Sequence, residues 1–458
     1  MKNALSAQMG TAPIGKLIFR ISLPIALSST VQALYNIVDG IYVSALSEDA
    51  FTATSLFFSV NMIMVALISG MASGLNTLLS YSLGSGQKER RSEIILTGLF
   101  LASIMSAIFA LFGVFGSRLY YQLFHVGSSI SYYGVSYMRI CMICCLPAAL
   151  SCVLERILQA TNRASYSMIA QTSGAIVNIL LDPLLIFGKF GLPAMGINGA
   201  ALATVIGQST AAILAFAFNL TKNNDFKVSL RGFRLRLTTI ADIYRVGLPV
   251  TAMQVIGTVM TFSINQILMA FSPSAVTVFG IYYKVQMFIF MQIFAFGQGN
   301  LTLVAYNRGA QKYTRIRESI RCTMLICVAI AIVGTAIFQF FSDELLSLFR
   351  PTQEVRSMGR HALRTISLIF PIEAICVTFS YSFQGLGHGG LSLFHSVVRQ
   401  LLLRVPLAYI LSACFGLDAV WYAFIVAEIV AVLLTSLLYR NLRQKELLYP
   451  DANQVISQ

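Results

Sequence analysis

Runs of about twenty apolar residues recur along almost the whole 458-residue chain, and they leave it few ways to fold. Each run is about long enough to cross a ~30 Å hydrocarbon core as a helix. In that medium a helix satisfies every backbone hydrogen bond within its own segment. About twelve runs can be placed, near 17–43, 51–82, 92–116, 131–155, 165–188, 197–220, 241–270, 276–306, 318–341, 358–382, 391–414 and 417–439. Composition agrees: 57% of residues are apolar and 11% charged, where a soluble chain carries about 25% charge. The expected fold class is an all-α integral membrane protein of twelve transmembrane helices. The opening stretch, MKNALSAQMGTAPIGK, lacks the basic–apolar–small order of a cleaved leader, so the first span is expected to stay in the mature protein.

The formal net charge of +14 raises the question of nucleic acid, and the distribution of charge answers it. With the N-terminus inside, most of the 32 Lys and Arg fall in inner connections such as QKERR, KVSLRGFRLR and NRGAQKYTRIR. Only Arg118, Lys189, Arg350, Arg356 and Arg360 fall in outer ones. That asymmetry places both termini in the cytoplasm of a cell-membrane protein and makes the basic excess a topology signal. No nucleic-acid partner is expected. No GxxxxGK[ST] loop supplies a nucleotide site, and the four histidines are scattered. The CMICC stretch at 141–145 sits in an apolar helix without acidic or His neighbours and reads as packing thiols. No nucleophile–base or metal constellation suggests an enzyme, and no cofactor is expected.

The sequence also repeats itself at an offset of about 225. IFRISLPIA (18–26) aligns with IYRVGLPVT (243–251), pairing Arg20 with Arg245 and Pro24 with Pro249. GLNTLLSYSLGSGQK matches GNLTLVAYNRGAQK, YMRI matches ALRT, and LQA matches FQG. Six spans per repeat keep both halves in one orientation, so they relate by an axis along the membrane normal. The expected parts are an N-terminal six-helix bundle (1–220), a cytoplasmic linker (221–240), a C-terminal six-helix bundle (241–440) and a cytoplasmic tail (441–458).

An aspartate stands inside the first span, where a charge near mid-membrane costs roughly 2.5–3.5 kcal/mol. Gln32, Tyr35, Asn36 and Asp39 recur at i, i+3, i+4 and i+7 and share one helix face. Asn178 and Asp182 stack on the fifth span, and Thr204 comes early in the sixth. Counted along their spans, Asp39, Asp182 and Thr204 fall at similar depth. Two carboxylates converging in low dielectric repel unless one is protonated or a cation lies between them, so the set reads as a proton- or Na⁺-binding site. Pro183 removes the helix donor to the Ile179 carbonyl, a further candidate oxygen ligand, and Pro24 is expected to bend the first helix. The second half does not repeat these acids. It carries Glu373, Arg404 and Glu428 near mid-span, read as a neutralising, structural network.

These motifs together resemble the multidrug and toxic compound extrusion (MATE) family. The resemblance runs from LPIALSSTVQALYNIVD through GSGQKE, NILLDPLLIFG, INGAALAT and YNRGAQK to FQGLGHG. It implies two pseudo-symmetric six-helix bundles that alternate between outward- and inward-facing states. It also implies exchange of H⁺ or Na⁺ for small organic cations or amphipathic drugs by a monomer. In the DinF-like branch the N-terminal cation site is similar to Asp39, Asn178, Asp182 and Thr204. Gln32 and Tyr35 match cavity-lining positions of that branch, with Asn36 on the same face, and Pro24 matches its bending proline. The NorM-like branch has a further acid in the seventh helix, absent from TAMQVIGTVMTFSINQ, although Glu373 stands near that branch's tenth-helix acid. The rival reading is a flippase for a lipid-linked saccharide, which needs a cationic cavity; Arg139, Lys284, Arg364 and Arg399 are its candidates.

Overall fold

Ten to twelve candidate membrane spans emerge in the computed structural model, which describes residues 5–191, 193–226, 228 and 234–444. Ten are unbroken helical stretches long and apolar enough to cross, one of them running over Gly389–Phe415, and two more count if each bent pair is one span. The helices are α1 (Ile14–Leu46), α2 (Glu48–Gly84), α3 (Lys88–Leu123), α4 (Ser128–Ile143), α5 (Leu146–Ala160), α6 (Ala164–Phe187) and α7 (Ile197–Lys222). They continue as α8 (Leu237–Met269), α9 (Pro273–Gly309), α10 (Tyr313–Phe340), a short α11 (Ser342–Ser347), α12 (Gln353–Ser367) and α13 (Phe370–Gly385). The last are α14 (Gly389–Val397), a π-helical turn (Val398–Arg404), α15 (Val405–Phe415) and α16 (Ala419–Leu442). Most of the inner-loop signal in KVSLRGFRLR and the tail beyond 444 lie outside the described residues.

Two runs expected to be continuous spans are broken. The fourth is α4 followed by α5 at 45°, and the tenth is α12 followed by α13 at 50°. In each the second helix restarts with a proline in its first turn, Pro147 or Pro371. There the missing N–H is one the helix would have left unbonded anyway. The apolar run hides such a break, because lipid-facing composition does not change across it.

The duplication reaches the backbone. Eight of the ten left-handed residues among those described fall in pairs at the repeat offset: Gly86 with Gln311, His125 with Arg350, Asn162 with Gly387, and Gly191 with Gly416. Ser47 caps α2 by accepting from the Ala50 N–H (3.0 Å), and Ser272 caps α9 by accepting from Ala275 (3.2 Å). Arg139 donates to Ser117 Oγ (3.2 Å), and its counterpart Arg364 donates to Ser342 Oγ (3.1 Å).

By their contacts the described residues form two compact units that are not contiguous in sequence. One holds residues 5–9 and 23–248, the other residues 10–22 and 249–444. Membership changes beside Pro24 in α1 and at Pro249 in α8, the prolines inside those two helices. A proline there removes an intrahelical hydrogen bond and crowds the preceding turn, so the helix bends most readily at that point. The first unit packs Val43, Ala50, Phe57, Tyr121, Tyr137, Met142, Ile186 and Ala200 into one cluster. Tyr121 Oη donates to the Ala53 carbonyl (2.7 Å), fixing α3 against α2. Between lipid-embedded helices such close packing and hydrogen bonding replace the hydrophobic driving force.

Candidate functional site

Small residues set the geometry of the site in the first unit. At Gly174 of α6 an added Cβ would lie 2.6 Å from the Gly207 carbonyl oxygen, and at Gly207 of α7 one would lie 2.7 Å from the Gly174 oxygen. The two backbones therefore meet at a spacing only glycine permits. One turn further along α6, Asn178 Nδ2 donates to Thr204 Oγ1 across the same seam (3.4 Å). Another turn on, Asp182 is fully buried.

α1 brings the second acid. Asp39 is half-buried and close enough to Asp182 for the two charges to interact. Tyr35, one turn before it, is within electrostatic range of both. The structure thus brings together Asp39, Asn178, Asp182 and Thr204, with Tyr35 beside them. Gln32 and Asn36 are exposed on the same helix, and Gln32 Oε1 accepts from Gln171 Nε2 of α6 (2.8 Å). Pro24 stands farther along α1, where the helix passes between units.

The chemistry of this cluster is one-sided. Asp39 Oδ1, Asn178 Oδ1 and both carboxylate oxygens of Asp182 are buried acceptors without a hydrogen-bond partner among the described residues. Leaving one ionised carboxylate so placed costs several kcal/mol. A bare proton or a hard, oxygen-seeking cation removes that cost, and the set supplies only oxygen ligands. The donors present therefore fit H⁺ or Na⁺.

Two participants lie outside the sequence expectation, and only one of them lacks a spacing signal. Tyr137 of α4 is within side-chain hydrogen-bonding reach of Thr204 and feels the charge of Asp39. It is one of 19 tyrosines in the chain and falls outside every polar stripe, so nothing in the sequence singles it out. Gln171 lies two turns before Asn178, in register with the α6 stripe, and extending that stripe backward would have found it.

In the second unit the expected trio is a quartet. Arg399 bridges Glu373 Oε1 (3.0 Å) and Glu428 Oε1 (2.9 Å) through one guanidinium nitrogen. Arg404 bonds Glu428, stands 4.0 Å from Glu373 and lies over the Phe424 ring at 4.7 Å. Two cations face two acids, so the expectation of one arginine between two glutamates is corrected. The cause is the π-helical turn. On an α-helix positions five apart diverge by about 140°, whereas i→i+5 bonding brings them onto one side. Sequence reasoning that assumes an α-helix cannot pair Arg399 with Arg404.

Known proteins share this architecture. A family model, MatE, matches residues 24–184 and again residues 249–410. Those two matches start 225 residues apart, the spacing at which the sequence repeats. The multidrug export protein MepA of Staphylococcus haemolyticus is 22% identical over 434 residues, covering 94% of each protein. MepA of Staphylococcus aureus strain NCTC 8325 is 25% identical over 457 residues, covering 97% of each. Among solved structures, the outward-facing conformation of a multidrug resistance MATE family transporter superposes with a TM-score of 0.89 at 24% identity. It covers 96% of this chain and 97% of that one.

Proposed function

The chain belongs to the MatE family, and from that premise we propose that it is a cation-coupled antiporter that exports amphipathic, often cationic organic compounds. It takes H⁺ or Na⁺ inward in exchange, works as a monomer and places both termini in the cytoplasm of the cell membrane. Within the family we favour the DinF-like branch. The observation that carries the reading is the pair of converging acids with unpartnered oxygens, Asp39 and Asp182, in membrane-spanning α1 and α6.

Coupling follows from competition. Ion and drug favour different states, or exclude each other, and each ion taken up shifts the population towards release or reloading. One proton moving inward through ~100 mV releases about 2.3 kcal/mol, and one pH unit adds about 1.4 kcal/mol. Together they sustain a drug gradient of roughly 500-fold for electroneutral drug movement. The face of α1 carrying exposed Gln32 and Asn36 and half-buried Tyr35 is where we place the drug, and Pro24 is the point where α1 changes shape as Asp39 changes charge.

The flippase reading has less support, because three of its four cations are engaged elsewhere. Arg399 is held by two glutamates, and Arg139 and Arg364 are tied to serines.

Purified protein in proteoliposomes, with a dye as cargo and ΔpH and ΔNa⁺ imposed separately, tests the function. Efflux driven by at least one gradient is expected; efflux under neither removes the antiport reading. Orientation is tested in cells. Cysteines placed at Ser47 and Ser272 are expected to react with an impermeant reagent from outside, and one at Ser85 is not. The reverse pattern would invert the direction of transport. Ser229, the second expected inner position, lies outside the described residues.

A further inference from the structure

A cavity of about 530 Å³ opens in the second unit between the start of α9 and the connection from α11 to α12. Its volume is in the range of small-molecule sites, about 300–1,000 Å³. Lys284 and Arg350 line it, with the hydroxyls of Ser274, Thr277 and Thr352 and an apolar wall that includes Ile281 and Phe349. No acid lines it. Among the described residues no carboxylate lies within ion-pair distance of Lys284, whose Nζ sits 5.9 Å from the centre of the Phe349 ring.

Depth narrows the ligand. Lys284 is eleven residues past Pro273, the first residue of α9, which is about 16 Å along the helix. At 37 residues α9 exceeds a ~30 Å core by about 25 Å, and with that excess divided equally between its ends Lys284 falls about 4 Å inside the boundary between hydrocarbon and headgroups. There a long side chain keeps its charge at the interface and its stem in apolar surroundings.

The duplication supplies an independent argument. At the repeat offset the first half has Glu48 and Asp49 where the cavity has Pro273 and Ser274, and Ser59 where it has Lys284. His125 stands where it has Arg350, with the same left-handed backbone. The scaffold is inherited while the charge is reversed, so the cationic lining is not a by-product of the fold.

We propose that this cavity binds the phosphodiester headgroup of an anionic membrane lipid, with Lys284 and Arg350 as counter-charges and the hydroxyls as donors. The apolar wall receives the start of the acyl chains. Gly280 forms part of the lining, and a Cβ added there meets nothing within 4 Å, so a side chain grows into the cavity without disturbing the helix.

The test uses full-length protein in neutral detergent, titrated with phosphatidylglycerol, with phosphatidylcholine of the same chains, and with glycerol phosphate. Bound ligand is counted by native mass spectrometry, and Tm is followed in parallel. Phosphatidylglycerol is expected to bind at least about tenfold more tightly than phosphatidylcholine and to raise Tm, with glycerol phosphate unable to displace it. Gly280→Leu and Lys284→Gln should each abolish that preference while lipid-free Tm and helix content stay at wild-type values. Arg118→Gln, an exposed cation of the first unit, should leave it intact. Should one cavity variant misfold, Arg350→Gln on the connection serves in its place. Equal affinity for the two lipids, or a preference that survives in the cavity variants, overturns the proposal. Displacement by glycerol phosphate also overturns it, because the ligand would then be a free phosphate.

Discussion

Asp39→Asn and Asp182→Asn are each expected to reduce ion-driven efflux to the level of empty liposomes, in protein that inserts and folds as the wild type does. Asparagine keeps the shape and one oxygen of the carboxyl but neither binds a proton nor carries charge. It removes the coupling while sparing the ~2.5–3.5 kcal/mol cost of a charge in the membrane. The two acids interact, and the Asp182 oxygens lack any partner among the described residues. Neither acid should therefore substitute for the other. A gradient of roughly 500-fold should collapse to about none, with drug binding retained at equilibrium. Pro24→Ala in the same assay separates ion binding from movement: it restores a backbone donor, straightens α1, and should lower turnover without weakening drug binding. Wild-type pumping by either Asn variant would remove the ion site from the first unit. Unchanged turnover in the proline variant would leave Pro24 as a packing kink.

What the sequence could reveal depended on how regular the helix was. The α1 stripe ending at Asp39 and the α6 pair Asn178 and Asp182 were legible because they ride on ordinary helix periodicity, where residues three and four apart share a face, whereas joining them with Thr204 took the depth count and the family resemblance. The repeat was legible for a similar reason. Pro24 and Pro249, Ser47 and Ser272, and the paired left-handed residues are local backbone features, and local features survive duplication. What escaped was everything set by a departure from regularity or by a neighbouring helix. The bends after α4 and α12 leave the apolar run unbroken. The assignment of residues 10–22 to the second unit depends on packing that no local pattern encodes. Tyr137 reaches the site from a helix with no polar stripe, and Arg399 reaches its acids only because one turn is π-helical.

The quartet of the second unit yields the other large effect, and the order of damage is diagnostic. Among the described residues, Arg399 alone bonds both acids at 3.0 Å or less, while Glu428 is fully buried. Arg399→Ala leaves Glu373 and Glu428 facing each other with Arg404 bonded to only one of them. Breaking a buried pair in this way costs about 3–5 kcal/mol, and the protein should lose most of its thermal stability. Arg404→Ala also removes the contact with Phe424, but Arg399 still spans both acids, so its cost should be smaller. Glu373→Gln should be milder still, because both arginines keep Glu428. With transport normalised to folded protein, that variant should pump nearly as the wild type does, far above Asp39→Asn. The arginines already stand where a mobile cation would have to bind, which is why a structural role is expected here. If Glu373→Gln instead destroys ion coupling in a stably folded protein, the second unit holds a working ion site, and coupling through the first unit alone is wrong.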